Sequence, residues 1–204
     1  VERLVTTVYH QIRGQAKAML SASSIPAAIK YKNFISKYYA EITKQPKYER
    51  FADAPVCIVY SDSQAYQSCS SLNGGLSEER VLQNFKIAKN GIIIVVDKLQ
   101  TGFDEPKLHT LFLDKEIRGI NAIQTISRVN RTAKYKNDCK IVDFSYKNIN
   151  VKNIKEAFEH FSNVVVSDFD PLGDEERLIE IYKELKTEDL FKKHFPIFKT
   201  YKEG

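Results

Sequence analysis

The run Ile92-Ile93-Ile94-Val95-Val96 restricts most strongly how this chain of 204 residues can fold. It consists only of β-branched residues, which favour a strand, and a strand without a polar face needs cover on both sides. Such strands are typical of parallel sheets that carry helices on both faces. The run therefore predicts an α/β protein with a mainly parallel sheet.

Apolar runs and helical periodicities alternate around this strand. Further strands are predicted at residues 16–22, 56–60, 108–113 and 139–144, and helices at 1–13, 27–39, 78–88 and 120–131. Pro26 suits the first turn of a helix, and Ser77 is a helix cap followed by two glutamates. This alternation implies right-handed crossovers between parallel strands.

The pattern changes after about Asn150, where we expect helices at residues 151–161, 175–185 and 188–194 and no further strand. The sequence thus predicts one domain over residues 1–150 and the start of a helical region over 151–204. Because the first residue is Val rather than Met, we expect the chain to be a piece of a longer protein.

Composition sets looser bounds on function. A net charge of +5 permits nucleic acid as a partner but does not require it. The three cysteines form no C-x-x-C pair, and the four histidines have no metal-ligand spacing, so we expect a reducing, cytoplasmic location and no metal site. No apolar run approaches the ~18 residues of a membrane span, so no membrane partner is expected.

The polar segment after the β-branched run ends in Thr101-Gly102-Phe103-Asp104. In open parallel sheets, ligands bind at the carboxyl ends of the strands. Gly102 allows close approach of a partner, Thr101 can contact a phosphate, and Asp104 can bind a ribose hydroxyl or an arginine. An ordinary turn capped by Asp104 uses the same residues, so this segment alone leaves both interpretations open.

The helix predicted over residues 120–131 carries a basic face. At about 100° per residue, Gln124, Arg128 and Arg131 fall within a sector of about 60°. Guanidinium groups are planar, permanently charged forks that suit phosphate oxygens. The opposite side of the helix is apolar and holds Ala122, Ile126 and Val129. A solvated helix surface with salt bridges would show the same arginine spacing, so the spacing alone is weak.

Together, the T-G-F-D segment and the Q-x-x-x-R-x-x-R helix resemble motifs V and VI of superfamily 2 helicases and translocases. Residues 93–115, and 122–132 running on to 141–144, resemble more closely the motor (R) subunit of type I restriction enzymes. Residues 17–31 resemble the motif IV region of that family. The resemblance covers about residues 1–165 and weakens over 61–90.

The resemblance implies a second RecA-like domain followed by the start of a helical region. That family hydrolyses ATP to pull duplex DNA and cuts it far from the recognition site. By the same resemblance, Arg131 is the arginine finger that reaches a γ-phosphate across a cleft. Arg128 binds the same phosphates, and Gln124 helps to orient both arginines. An arginine supplied from a second domain would make hydrolysis depend on closure.

The remaining site residues are also carried over from the resemblance. Gly102 and Asp104 would lie at the same cleft and couple it to DNA. Four residues would touch the sugar-phosphate backbone without reading sequence: Thr101, Ser23, Ser24 and Lys98.

The implied cofactors are ATP and Mg²⁺, held mainly by a missing first RecA-like domain. The implied partners are double-stranded DNA, that first domain in cis, and the modification and specificity subunits of the restriction complex. The chain has no G-x-x-x-x-G-K-[ST] loop, no D-E-x-[HD] box and no nuclease motif. We therefore expect the fragment by itself neither to hydrolyse ATP nor to cut DNA.

Two alternatives stay open. The chain could be a non-catalytic module whose arginines bind acidic groups on a protein or a nucleic acid. It could also be the second motor domain of another superfamily 2 helicase.

Overall fold

The computed structural model describes residues 1–98 and 103–162. In this part the strands form one sheet: β1 (Lys17–Ser21), β2 (Val56–Val59), β3 (Ile92–Val95), β4 (Leu108–Leu113) and β5 (Lys140–Asp143). The spatial order is β2-β3-β1-β4-β5, and each neighbouring pair is parallel. The predicted parallel α/β sheet is therefore confirmed.

The helices are α1 (Glu2–Thr6), α2 (Gln11–Gly14), α3 (Ile25–Ile42), α4 (Cys69–Leu72), α5 (Glu78–Ile87), α6 (Gly119–Ser127) and α7 (Ile149–Ser162). The hydroxyls of Ser24 and Ser77 cap α3 and α5. The single helix expected over residues 1–13 is wrong. Helix α1 ends at Thr6, and Thr7 has φ of −129°. The backbone leaves the helical region again at Ile12 and Arg13, which both have φ of 52°, and Gly14 has φ of 80°.

Alternate side chains of β3 enter two separate cores. Ile92 and Ile94 pack in a cluster with apolar residues of α1 and α3. Ile93 and Val95 pack in a second cluster with residues of α5, α6 and α7. Since successive strand residues point to opposite faces of a sheet, helices cover both faces, as the sequence predicts.

The connection from β3 to β4 contains no helix among its described residues. It starts at the end of the sheet where the strands finish, called here the carboxyl end. It reaches the opposite, amino end, because the Glu105 carbonyl accepts from Leu108 N at 3.0 Å and the Lys107 carbonyl accepts from Lys17 N at 2.9 Å. Phe103 is buried in the second core beside Phe85. The segment 103–107 therefore lies under the amino end of the sheet.

The helix expected at residues 151–161 is present as α7. Asn150, near its start, is fully buried and accepts from Ile117 N at 2.8 Å, while its amide donates to Asp143 Oδ1 at 2.8 Å. These bonds attach α7 to the segment after β4 and to the end of β5. The helices predicted at 175–185 and 188–194 lie outside the described residues, so the domain boundary at 150 stays a prediction.

Candidate functional site

The arginines lie at the amino end of the sheet. Helix α6 follows the carboxyl end of β4 and returns the chain toward the start of β5, so its last turn is at the amino end. Ala122 and Val129 are fully buried in the second core, and Ile126 is also buried, as the apolar face predicts. The basic end of α6 thus meets segment 103–107 on the same side of the molecule.

The helix is shorter than expected. It ends at Ser127, and Arg128 is its C-cap, so the predicted extent to residue 131 is wrong. The amide of Asn130 still bonds to the Ile126 carbonyl at 3.0 Å, but Arg131 lies beyond this last turn. Arg131 therefore does not share a helical face with Gln124 and Arg128.

The two arginines nevertheless converge on one segment. Arg128 Nη1 donates to the carbonyl of Phe103 at 2.9 Å, and its Nε donates to the carbonyl of Gln124 at 3.4 Å. Arg131 forms an ion pair with Asp104. Gly102, the neighbour of Phe103, lies outside the described residues, as does Thr101. The structure thus brings together Arg128, Arg131 and Asp104.

The electrostatics of this group favour an anion. Burial lowers the pKa of Arg128, and the neighbouring positive charge of Arg131 lowers it further. The carboxylate of Asp104 pairs with Arg131 and acts on Arg128 only through its charge, and the side chain of Asp104 is 63 % exposed against 29 % for Arg131. Since arginine stays protonated in proteins, the pair has positive charge in excess of its partner. An additional anion at this position would relieve that repulsion.

The other predicted contacts lie at the carboxyl end of the sheet. Ser23 Oγ donates to Asp114 Oδ2 at 3.1 Å, and Ser24 Oγ accepts from Ala27 N at 3.3 Å as the cap of α3. Lys98 Nζ pairs with Glu78 Oε2 at 2.6 Å. The predicted site residues therefore divide between two ends of the sheet, and each of these three already has a partner within the chain.

The sequence pattern did not single out the charged residues that hold the segment around Asp104. Lys17 is fully buried, and its Nζ donates to Glu105 Oε2 at 2.6 Å, to the Phe85 carbonyl at 2.7 Å and to the Lys86 carbonyl at 3.0 Å. Burial lowers the pKa of Lys17, and the hydrogen bond and charge of Glu105 oppose that effect. A lysine that opens an otherwise apolar strand, and an acid next to Asp104, were the available signals.

The described residues contain no cluster of three or more His, Cys, Asp or Glu side chains able to hold a metal ion. Burial raises the pKa of Cys57 to about 11, so this cysteine remains a thiol at neutral pH. Over residues 1–98 and 103–162, the helices are too short or too polar to cross a bilayer.

Part of the chain matches a family of known proteins. Residues 76–146, which include β3, segment 103–107, α6 and β5, match the family described as type I restriction enzyme subunit R domain 3. The match covers both arginines and Asp104. The resemblance to type I restriction enzyme R subunits predicted from the sequence is thus confirmed.

Two relatives are also named as endonuclease subunits of type I restriction enzymes. The MjaVIIP endonuclease subunit of Methanocaldococcus jannaschii, named as a type I restriction enzyme, is 28% identical over 195 residues, covering 82% of this chain and 17% of the relative. The type I restriction enzyme HindI endonuclease subunit of Haemophilus influenzae is 39% identical over 75 residues, which are 35% of this chain and 7% of the relative. The chain thus spans less than a fifth of the length of these relatives.

One solved structure that aligns with this chain is titled "ATP-dependent Type ISP restriction-modification enzyme LlaBIII bound to DNA". It has 16% sequence identity and a TM-score of 0.43, and the alignment covers 72% of this chain and 10% of that chain.

Proposed function

We propose that this chain is the second RecA-like domain of the ATP-driven DNA motor in a type I restriction enzyme R subunit. The observation that carries the proposal is the convergence of Arg128 and Arg131 on Phe103 and Asp104. The relatives named above are type I restriction endonuclease subunits, which supports the same reading.

Arg131 acts as the arginine finger. Phosphoryl transfer is accelerated by positive charge aimed at the equatorial oxygens of the transferred group. In the described state Arg131 is paired with Asp104. Nucleotide binding would exchange this carboxylate for the γ-phosphate, while Arg128 stays anchored to the Phe103 carbonyl and provides the neighbouring charge. Gln124 supplies the carbonyl that orients Arg128, and a further role for its side chain stays a prediction.

The nucleotide itself is held elsewhere. We propose that the first RecA-like domain, acting in cis, binds most of ATP and Mg²⁺. Hydrolysis then requires the two domains to close, because only closure delivers Arg131 to the phosphate. Isolated, the chain is expected to be inactive.

Double-stranded DNA binds along the carboxyl end of the sheet. Ser23, Ser24, Lys98 and Thr101 contact the phosphate backbone in this proposal, and such contacts are independent of sequence. Lys98 must leave Glu78 to reach a phosphate, which an exposed ion pair permits at a cost of about 1 kcal/mol or less. The modification and specificity subunits complete the complex.

The test is Arg131→Ala in the complete protein that carries this chain. DNA-stimulated ATP hydrolysis should fall about 10³-fold or more, the usual contribution of an arginine finger. DNA affinity should stay nearly unchanged. Arg80→Ala is the control, because Arg80 is exposed on α5 and its side chain bonds only to Gln83 among the described contacts.

Retained turnover in Arg131→Ala would exclude the finger role and favour the alternative of a non-catalytic module that binds acidic groups. A strong loss of DNA affinity, with turnover intact at saturating DNA, would place the arginine in the DNA site instead.

A further inference from the structure

Two lysines hold the segments that carry Asp104 and Arg131. Lys136 follows the arginines in sequence, and Lys17 opens β1. Each lysine uses its Nζ to bond three acceptors, which is the full donor capacity of an ammonium group. The acceptors belong to segment 103–108, to the end of α5 and to the turn after α6.

Lys136 joins the turn after α6 to the segment before and at the start of β4. Residues 128–131 are called here the arginine turn, and residues 103–108 the loop. Its Nζ donates to the carbonyls of Val129 and Leu108 at 2.6 Å each and to the Pro106 carbonyl at 3.1 Å. Val129 lies between the two arginines, and Pro106 lies two residues after Asp104. One ammonium group therefore fixes the spacing between the backbone that presents Arg131 and the backbone that presents Asp104.

Lys17 fixes the same loop from the other side. It pairs with Glu105, the residue after Asp104, and bonds the last carbonyls of α5. The side chains of Lys17 and Glu105 are 0% and 5% exposed, so this ion pair is removed from water. Glu105 Oε1 also accepts from Lys107 N at 3.0 Å, so the carboxylate spans the end of the loop.

A third lysine shows that such a network is not general in this fold. Lys32 is also partly buried, and burial lowers its pKa as it does for Lys17 and Lys136. Its Nζ donates to one carbonyl, that of Val56 on the edge strand β2. Lys32 is therefore a partly buried lysine like Lys136, but its hydrogen bond goes to β2 and not to the segments that carry Asp104 and Arg131.

We propose that Lys17 and Lys136 are positioning residues that hold Asp104 and Arg131 face to face, so that Arg131 is ready to receive a phosphate. This inference rests on the proposed function of Arg131. Neither lysine is proposed to touch the phosphate. Lys136 acts through the carbonyls of Val129, Pro106 and Leu108. Lys17 acts through the carboxylate of Glu105 and the end of α5. Pre-organised charge is effective in phosphoryl transfer because no rearrangement is needed at the moment of reaction.

The kinetic test compares Lys136→Met with Lys32→Met in the complete protein. Lys136→Met should lower kcat for DNA-stimulated ATP hydrolysis by about tenfold or more and leave KM for ATP within about twofold. The reason is that the contact of Arg131 with the phosphate, which Lys136 positions, acts in the transition state. Lys32→Met should leave both constants nearly unchanged. Equal effects of the two variants, or an effect of Lys136→Met on KM alone, would overturn the proposal.

The second test needs no activity. Hydrogen–deuterium exchange of the backbone amides of residues 103–105, 107 and 108 should accelerate about tenfold in Lys136→Met and stay unchanged in Lys32→Met, since loss of the Lys136 bonds lowers the free energy of local opening. Lys136→Gln, which keeps a donor on a shorter side chain, replaces the methionine variant if that variant does not fold. Unchanged exchange in a folded Lys136 variant would refute the tethering.

The two sets of results distinguish the positioning role of the lysines from the proposed function of Arg131. If Arg131→Ala abolishes hydrolysis but Lys136→Met leaves kcat unchanged, the positioning role fails and the proposed function stands. If Arg131→Ala itself leaves hydrolysis intact, the proposed function fails, whatever the exchange data show for the loop.

Discussion

The two ends of the sheet hold their charged side chains in different ways. At the amino end, Lys17 and Lys136 each bond three acceptors, and Lys17 is fully buried with Glu105. At the carboxyl end, Lys98 pairs with Glu78 and Lys115 with Asp97 in ion pairs that have exposed acidic partners. The bonds at the amino end hold their side chains in fixed positions, whereas the ion pairs at the carboxyl end can rearrange.

This difference fits the two tasks proposed for the domain. A charge that stabilises a transferring phosphoryl group must be placed within a fraction of an ångström. A contact that slides along a phosphate backbone has to form and break repeatedly and needs no unique geometry. The bonds at the amino end suit the fixed charge that the proposed chemistry needs, and the ion pairs at the carboxyl end suit the exchangeable contacts that the proposed movement needs.

The largest change in the free energy of unfolding is expected from a substitution at the amino end of the sheet. Lys17→Met leaves Glu105 buried without its partner, and removing one member of a buried pair costs about 3–5 kcal/mol. Urea unfolding of the 204-residue chain measures this loss of unfolding free energy. The double variant Lys17→Met/Glu105→Gln should recover much of it, because no unpaired charge remains.

The matched comparison is Lys44→Met, which breaks the exposed pair with Glu41. It should cost less than about 1 kcal/mol, as surface pairs do. If Lys17→Met were no more destabilising than Lys44→Met, the amino end would not be the rigid part of the molecule.

A smaller effect is expected from Lys98→Met at the carboxyl end. Loss of an exposed ion pair should change stability by less than about 1 kcal/mol. In the complete protein, DNA affinity should fall, and the slope of log K against log salt should become shallower by about 1. Binding titrations at several salt concentrations measure both quantities.

Lys89→Met is the control for Lys98→Met, since Lys89 is exposed and lies between the end of α5 and the start of β3, at the amino end. The two variants should differ in salt slope. The same slope in both would remove Lys98 from the DNA contacts.

The smallest expected effect is a change in the pH dependence of stability, and it concerns Asp143, at the end of β5. Burial acts to raise its pKa, but hydrogen bonds from Ser145 and Asn150 outweigh this, so the pKa of Asp143 is lowered. A lowered carboxyl pKa contributes stability that is present above the unfolded pKa of about 3.9 and is lost as pH falls through the folded pKa. Acid unfolding below about pH 4 should therefore be shallower in Asp143→Asn.

Thermal melting between about pH 5 and pH 2 measures this slope. Asp53→Asn, at an exposed carboxyl group, provides the reference. A wild-type slope that persists unchanged in Asp143→Asn would show that the bonds to Ser145 and Asn150 do not stabilise the carboxyl end.

Much of the architecture could be predicted because it depends on local pattern. The β-branched run became β3, the most buried strand, since its side chains have no polar face to present to water. Ser77 became the cap of α5 because its hydroxyl accepts from a backbone amide only three residues away. Helix α7 followed from its periodicity in the same way.

Two predicted helices were wrong in extent, because the local sequence pattern and the packing of the domain favour different backbone conformations there. Residues 1–13 have helical spacing, yet Ile12 and Arg13 turn in the left-handed region, and Gly14 completes the turn before β1. Helix α6 stops at Ser127, although the apolar spacing continues to Val129, because the following backbone turns to bring Arg131 to Asp104. In both places the demands of the sheet and the loop outweigh helical propensity.

By itself, the sequence determined the parallel sheet, the helices on both faces and the family resemblance, and it predicted a site role for the two arginines. Only the tertiary structure decided that Arg131 meets Asp104, 27 residues away, and that Lys17 meets Glu105, 88 residues away. Strand and helix patterns depend on neighbours along the chain, whereas these pairings depend on how the crossovers return each segment to the amino end of the sheet.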